Sequence, residues 1–187
     1  MRTVTAHIQS AAPYSASRMH DTPKLAKESP DAHEQRTWKS RAHLDDNGVA
    51  FIPGHAFKMA LDSVIPRLNI KGPTGGKSTF TKNFVSGVMC VEKLSLGMKP
   101  DDFLGTTVNA NADGKRGSGT RVKRTFPTFL QWGGPLAFLV LDDAIPDSVF
   151  ETALKECGLF VGVGQNRPQS GGWMGRFSVS KFEWKTN

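Results

Sequence analysis

The stretch GLFVGVGQNRPQSGGWMGRF, residues 158–177, lies between a helical pattern and a final strand pattern, and its reading decides how the chain is organised. Gly162, Gly164, Gly171, Gly172 and Gly175 bracket a short polar segment that holds Arg167, and Arg176 follows directly. Glycine lacks a Cβ and reaches positive φ at little cost, so such a cluster lets main-chain amides come close to a partner. Successive amides make a concave anion site, and guanidinium groups match phosphate geometry. The stretch therefore reads as a cradle for a phosphate backbone. The plain alternative is a glycine-rich hairpin whose turns need positive φ.

Immediately upstream, residues 136–141 (LAFLVL) form an apolar strand pattern, and Val149, Phe150, Ala153, Leu154 and Cys157 then share one helical face. Asp142, Asp143 and Asp147 suit the start of that helix, where the dipole is positive, and Gly158 fits its C-terminal cap. Downstream, Phe177 and Val179 alternate in one parity and Phe182 and Trp184 in the other, which predicts a bulge near Ser180 or Lys181.

At the other end of the chain, residues 2–9 put Val4, Ala6 and Ile8 on one face and Thr3, Thr5, His7 and Gln9 on the other, the pattern of a half-buried strand. Residues 10–47 are an insertion poor in apolar side chains. They carry Arg18, Lys24, Lys27, Arg36, Lys39 and Arg41 among several acids, and Trp38 is either an anchor or a stacking surface. Ala56, Phe57, Ala60, Leu61, Val64, Ile65 and Leu68 recur at helical spacing, with Pro66 near the end to stop or kink the helix. Residues 84–91 read as a strand and residues 106–112 alternate weakly.

Residues 113–124, DGKRGSGTRVKR, hold the densest positive patch in the chain, and the glycines there predict a hairpin tip. Lys115, Arg116, Arg121, Lys123 and Arg124 would be presented to solvent from a basic finger spanning residues 105–133. A patch of this kind supplies salt-sensitive affinity for phosphates. Phe126, Phe129 and Trp132 follow, either to stack on bases or, for at least two of them, to pack in the core.

The formal net charge of +7 favours an acidic polymer as partner. Residues 72–79, GPTGGKST, resemble a nucleotide-binding loop, but the first required glycine falls on Lys71, and the segment follows a helix pattern rather than a buried strand. Cys90 and Cys157 are too few for a disulfide scaffold and lack metal-ligand spacing, so no metal or cofactor is expected. No window has signal-peptide or membrane-spanning character, which predicts a cytoplasmic protein with no membrane partner.

Stripped of insertions, the order strand, helix, strand, strand, helix, strand predicts one α+β domain over residues 1–187: a ferredoxin-like (RRM-like) βαββαβ core with a long N-terminal insertion and a basic β-hairpin finger. At this point the chain resembles the RAMP superfamily of CRISPR-associated RNA-binding proteins. The resemblance rests on residues 162–177, GVGQNRPQSGGWMGRF, and residues 49–61, VAFIPGHAFKMAL. Its nearest likeness is to backbone subunits that polymerise along a guide RNA. That resemblance implies RNA contacts by His55 and Lys58 on the first helix, by Gly164, Arg167, Gly171, Gly172 and Arg176 in the glycine loop, and by the residue 115–124 finger. The expectation is thus a non-catalytic single-stranded RNA (or DNA) binder of antiviral defence, either a homo-oligomer or a subunit of a ribonucleoprotein complex. An endoribonuclease of the same fold, using His20, His33, His43 or His55, remains an alternative, as do a single-strand DNA-annealing protein and a protein-binding inhibitor of a nucleic-acid machine.

Overall fold

Alternation in the first residues makes the central strand β1 (Arg2–Ser10), with Val4, Ala6 and Ile8 buried. The computed structural model describes residues 1–111 and 119–186. After β1 come β2 (Tyr14–Ser15), α1 (Pro30–Thr37), a 3₁₀ turn at Trp38–Arg41, β3 (His43–Leu44), β4 (Ala50–Pro53), α2 (Gly54–Leu68), α3 (Thr81–Gly87) and β5 (Val88–Met89). The chain continues through β6 (Lys93–Ser95), β7 (Leu104–Asn111), β8 (Arg121–Phe129), β9 (Gly133–Val140), α4 (Asp147–Phe160) and β10 (Phe177–Thr186). The architecture is mixed α+β, with antiparallel sheets ordered β10-β1-β9-β5, β2-β8-β7 and β3-β4-β6.

The four-stranded sheet carries the core. Phe57 and Leu61 of α2 and Phe150 and Leu154 of α4 are fully buried with Leu136, Phe138 and Val140 of β9. Phe138 meets Phe150 edge-on at 5.4 Å between ring centroids, and Phe57 meets Phe177 at 5.5 Å. Each such side chain contributes roughly 1.5–3 kcal/mol by leaving water. On β10 the register against β1 shifts between Ala6↔Phe182 and Ile8↔Val179, so Ser180 and Lys181 together oppose His7. This is the bulge that the change of parity predicts.

Two local expectations are corrected. Residues 84–91 do not form one strand: α3 ends at Gly87, and only Val88–Met89 pair with β9. Phe84 is turned inward by helical geometry to stack on Phe150 at 6.3 Å, and Asn83 is held by Asp142 at 2.7 Å. Nor does Gly158 cap α4, which runs on to Phe160. A Cβ at Gly158 would lie 2.1 Å from the Phe177 carbonyl oxygen, so this glycine is required by the close passage of β10 over the helix.

The insertion, residues 10–47, is folded. The Ser29 hydroxyl caps α1 through the Ala32 amide at 3.1 Å, with Pro30 in the first turn. Trp38 packs on the β7–β8 hairpin, where a Cβ at Gly105 would lie 3.4 Å from its ring. That settles Trp38 as an anchor.

Candidate nucleic-acid interface

α2 begins at Gly54 without a side-chain cap, and its first turn faces the loop that joins α4 to β10. Between them lies a cleft of about 240 Å³ whose lining includes Arg18, His43, His55, Arg167 and the 162–164 turn. No Asp or Glu lines it. The start of α2, which no side chain caps, adds positive potential. The insertion supplies Tyr14, Ser17, Arg18 and His43 to the lining, and the places of Arg18 and His43 are set by main-chain contacts: Arg18 N–H donates to the Arg41 carbonyl at 2.8 Å, and His43 pairs with Phe51 across β3 and β4. Burial lowers the His43 pKa below its ordinary 6.5, and the positive charge of Arg18 and the neighbouring His55 push it the same way. His43 is therefore neutral at pH 7.

The glycine loop is built differently from its sequence reading. Gly162, Gly164 and Gly175 sit at φ +69°, +82° and +71°. Their missing Cβ atoms face the protein itself. A Cβ would meet the Ser15 carbonyl oxygen at 2.5 Å from Gly164, the Asn166 carbonyl oxygen at 2.0 Å from Gly172, and the Val163 carbonyl oxygen at 1.8 Å from Gly175. The amides are also used internally: Gly171 donates to Pro168, Gly172 to Arg167, Val163 to Gly175 and Gly175 to Pro13. These glycines let the loop fold tightly onto itself. What it offers outward is side chains.

Arg167 shows this. Its guanidinium donates to the Gly164 carbonyl and the Gln169 amide oxygen, both at 3.2 Å, and among the described residues no carboxylate neutralises it. Arg176 likewise holds the Leu159 and Trp173 carbonyls at 3.1 and 3.3 Å, so it ties β10 to the last turn of α4. Among the described residues Arg176, like Arg167, has no carboxylate partner. His55, Gly164 and Arg167 thus share one cleft, whereas Gly171, Gly172 and Arg176 do not line it. Lys58 points elsewhere, to Asp62 and to the Phe84 and Val85 carbonyls at 3.1 and 3.3 Å.

On the finger, Arg121 and Lys123 are exposed on one face of β8, while Arg124 turns to the opposite face and bonds Glu34 at 3.2 Å. Lys115 and Arg116 lie outside the described residues. Phe129 and Trp132 are core residues, 0% and 6% exposed, and Phe126 is covered by the Arg41 guanidinium at 5.4 Å from its centroid. Residues 14–18 tie the elements together. Tyr14 and Ser15 pair with Phe129 and Thr128 of β8, and the Ser15 carbonyl accepts the Gln165 amide of the glycine loop at 2.8 Å.

Neither Arg18 nor His43 is read as an RNA contact in the sequence, because neither has a diagnostic neighbour: Arg18 stands out only in the charge density of the insertion, and His43 only as one of four candidate nuclease histidines. Among the described residues no group of three or more His, Cys, Asp or Glu could hold a metal ion, and no helix is long and apolar enough to cross a membrane.

No protein-family model matches the sequence, and no curated protein matches it. Solved structures do. A chain in the cryo-EM structure of the type III-B Cmr-beta bound to cognate target RNA superposes with a TM-score of 0.58 at 11% identity, over 98% of this chain and 60% of that one. A chain of a CRISPR RNA-guided surveillance complex aligns at 12% identity with a TM-score of 0.41, over 97% of this chain and 68% of that one. The present chain spans 60% of the length of the Cmr-beta chain. At such identity the likeness to the Cmr-beta chain is one of fold alone.

Proposed function

We propose that the chain is a non-catalytic, single-stranded RNA-binding subunit of a CRISPR ribonucleoprotein complex, holding RNA by its phosphates in the cleft between α2 and the glycine loop. The observation that carries this reading is the convergence of Arg18, Arg167, His43 and His55 on a lining without a carboxylate. Its support in the fold is the sheet order β10-β1-β9-β5 with α2 and α4 as the two crossovers, which we read as a ferredoxin-like core. The finger's Arg121 and Lys123 would extend the phosphate contacts, and repeated copies along one RNA would suit an interface that reads backbone rather than bases. The RNA in the Cmr-beta structure agrees with such a partner.

The test is titration of fluorescent single-stranded RNA at several salt concentrations. Affinity should fall steeply with salt, and Arg18→Ala with Arg167→Ala should lower the slope by about 1.4, at about 0.7 per phosphate contact on a single strand. Affinity flat in salt would refute the reading. One observation favours a nuclease instead: His43 and His55 lie in the same cleft as the two arginines, the set an acid–base cut at a phosphodiester needs. Labelled RNA cleaved by the wild type and left intact by His43→Ala or His55→Ala would establish that reading.

A further inference from the structure

Of the twelve phenylalanines and four tryptophans, only Phe160 and Trp173 are exposed, at 37% and 52%. Phe160 stands beside the cleft, two residues before the 162–164 turn that lines it. Arg176 joins the Trp173 and Leu159 carbonyls, which places Trp173 against the last turn of α4. The facing wall is α2, where His55, Met59 and Ser63 line the cleft at helical spacing of four. Arg67 is the next residue on that stripe. Its guanidinium lies over the Phe160 ring at 4.3 Å from the centroid, and among the described residues it has no carboxylate partner. From His55 to Arg67 the helix advances about 18 Å at 1.5 Å per residue.

We infer that the Arg67–Phe160 stack is a nucleobase platform at the far end of this track, where a base of single-stranded RNA lies on the stacked pair while its phosphates run into the cleft. The inference rests on the RNA-binding reading above. Planar guanidinium and aromatic surfaces are what unpaired bases stack on, and a pair already stacked needs no reordering to receive one. Met59, an exposed side chain of the cleft lining on the stripe that leads to Arg67, gives the track an apolar floor. Of the expected aromatic cluster at residues 126–132, Phe129 and Trp132 are buried, and the guanidinium over Phe126 belongs to Arg41, itself buried and held by Glu34, whereas Arg67 is exposed.

The experiment uses the full chain with a short RNA carrying 2-aminopurine, and the same RNA with single abasic positions. Phe160→Ala should weaken binding of the intact RNA about tenfold, leave the salt slope unchanged, and cost no more than about twofold against the RNA whose abasic position matches the stacked base. Binding should quench 2-aminopurine at that position, and Phe160→Trp should restore both affinity and quenching. Equal losses for Phe160→Ala on intact and abasic RNA would overturn the platform. So would an unchanged affinity in a protein whose salt slope is normal, and that result would leave the phosphate cleft standing. A wild type that binds no RNA would overturn both.

Discussion

Glu34 of α1 receives both terminal nitrogens of Arg41, at 2.7 and 2.9 Å, and the same carboxylate accepts the Thr125 amide at 2.6 Å and Arg124 at 3.2 Å. The insertion and the base of the finger therefore share one buried charge cluster. Removing the acid leaves the Arg41 guanidinium buried without a counter-charge, an effect that typically costs about 3–5 kcal/mol. Glu34→Gln keeps one hydrogen-bond acceptor and should cost about 3 kcal/mol in urea unfolding. Amide exchange should quicken first in β7 and β8. A variant as stable as the wild type, with unchanged exchange in the hairpin, would show that the cluster does not position the finger.

The same cluster makes stability depend on pH. Burial alone would raise the Glu34 pKa, but the hydrogen bonds from Arg41, the Thr125 amide and Arg124 outweigh it and hold the folded-state value below the ordinary 4.5. A group depressed on folding contributes stability above its unfolded value and loses it as pH falls through the folded one. The wild type should therefore lose stability on acidification below about pH 4.5, and the Glu34→Gln variant should lack that component. Parallel curves of unfolding free energy against pH for the two proteins would contradict the assignment.

What was legible in the sequence was what depends on local period. Val4, Ala6 and Ile8 marked β1, the stripe from Ala56 to Leu68 marked α2, and the parity change between Val179 and Phe182 marked the bulge. The run at residues 84–91 misled because a short apolar segment has no period long enough to tell strand from helix; its stacking on Phe150, 66 positions away in the chain, decided for helix. The glycines were found but their use was inverted, since only the folded loop reveals that Val163, Asn166 and Ser15 occupy the space where their side chains would be. Arg18 and His43 reach His55 and Arg167 only through tertiary contacts, so no spacing in the chain announces them.

That inversion makes its own forecast about glycine. Gly48 and Gly164 have similar φ, +73° and +82°, yet nothing lies within 4 Å of a Cβ at Gly48, whereas one at Gly164 meets Ser15 and the Tyr14 ring at 2.5 Å. Gly48→Ala should cost about 1 kcal/mol from the left-handed backbone alone. Gly164→Ala adds steric overlap with main chain and should cost about 3 kcal/mol, with a matching fall in RNA affinity as the cleft wall shifts. Thermal unfolding of both variants, read beside one RNA titration, checks the pair; equal destabilisation would mean that the loop yields freely at Ser15.

The cleft should also bind RNA more tightly in acid. His43 is held neutral at pH 7 by burial, Arg18 and His55, and an RNA phosphate would favour its protonated form by supplying the negative charge that the lining lacks. Protonation and RNA binding are then linked, each promoting the other. Lowering the pH from 7.5 to about 5.5 should raise affinity about tenfold, the scale of one added charge-assisted contact. His43→Gln removes the titrating group while keeping a polar side chain, and should flatten most of that dependence without changing affinity at pH 7.5 by more than about twofold. If the variant instead retains the full rise, the proton is taken up elsewhere, and His55→Gln in the same titration would show whether the second imidazole of the cleft accepts it.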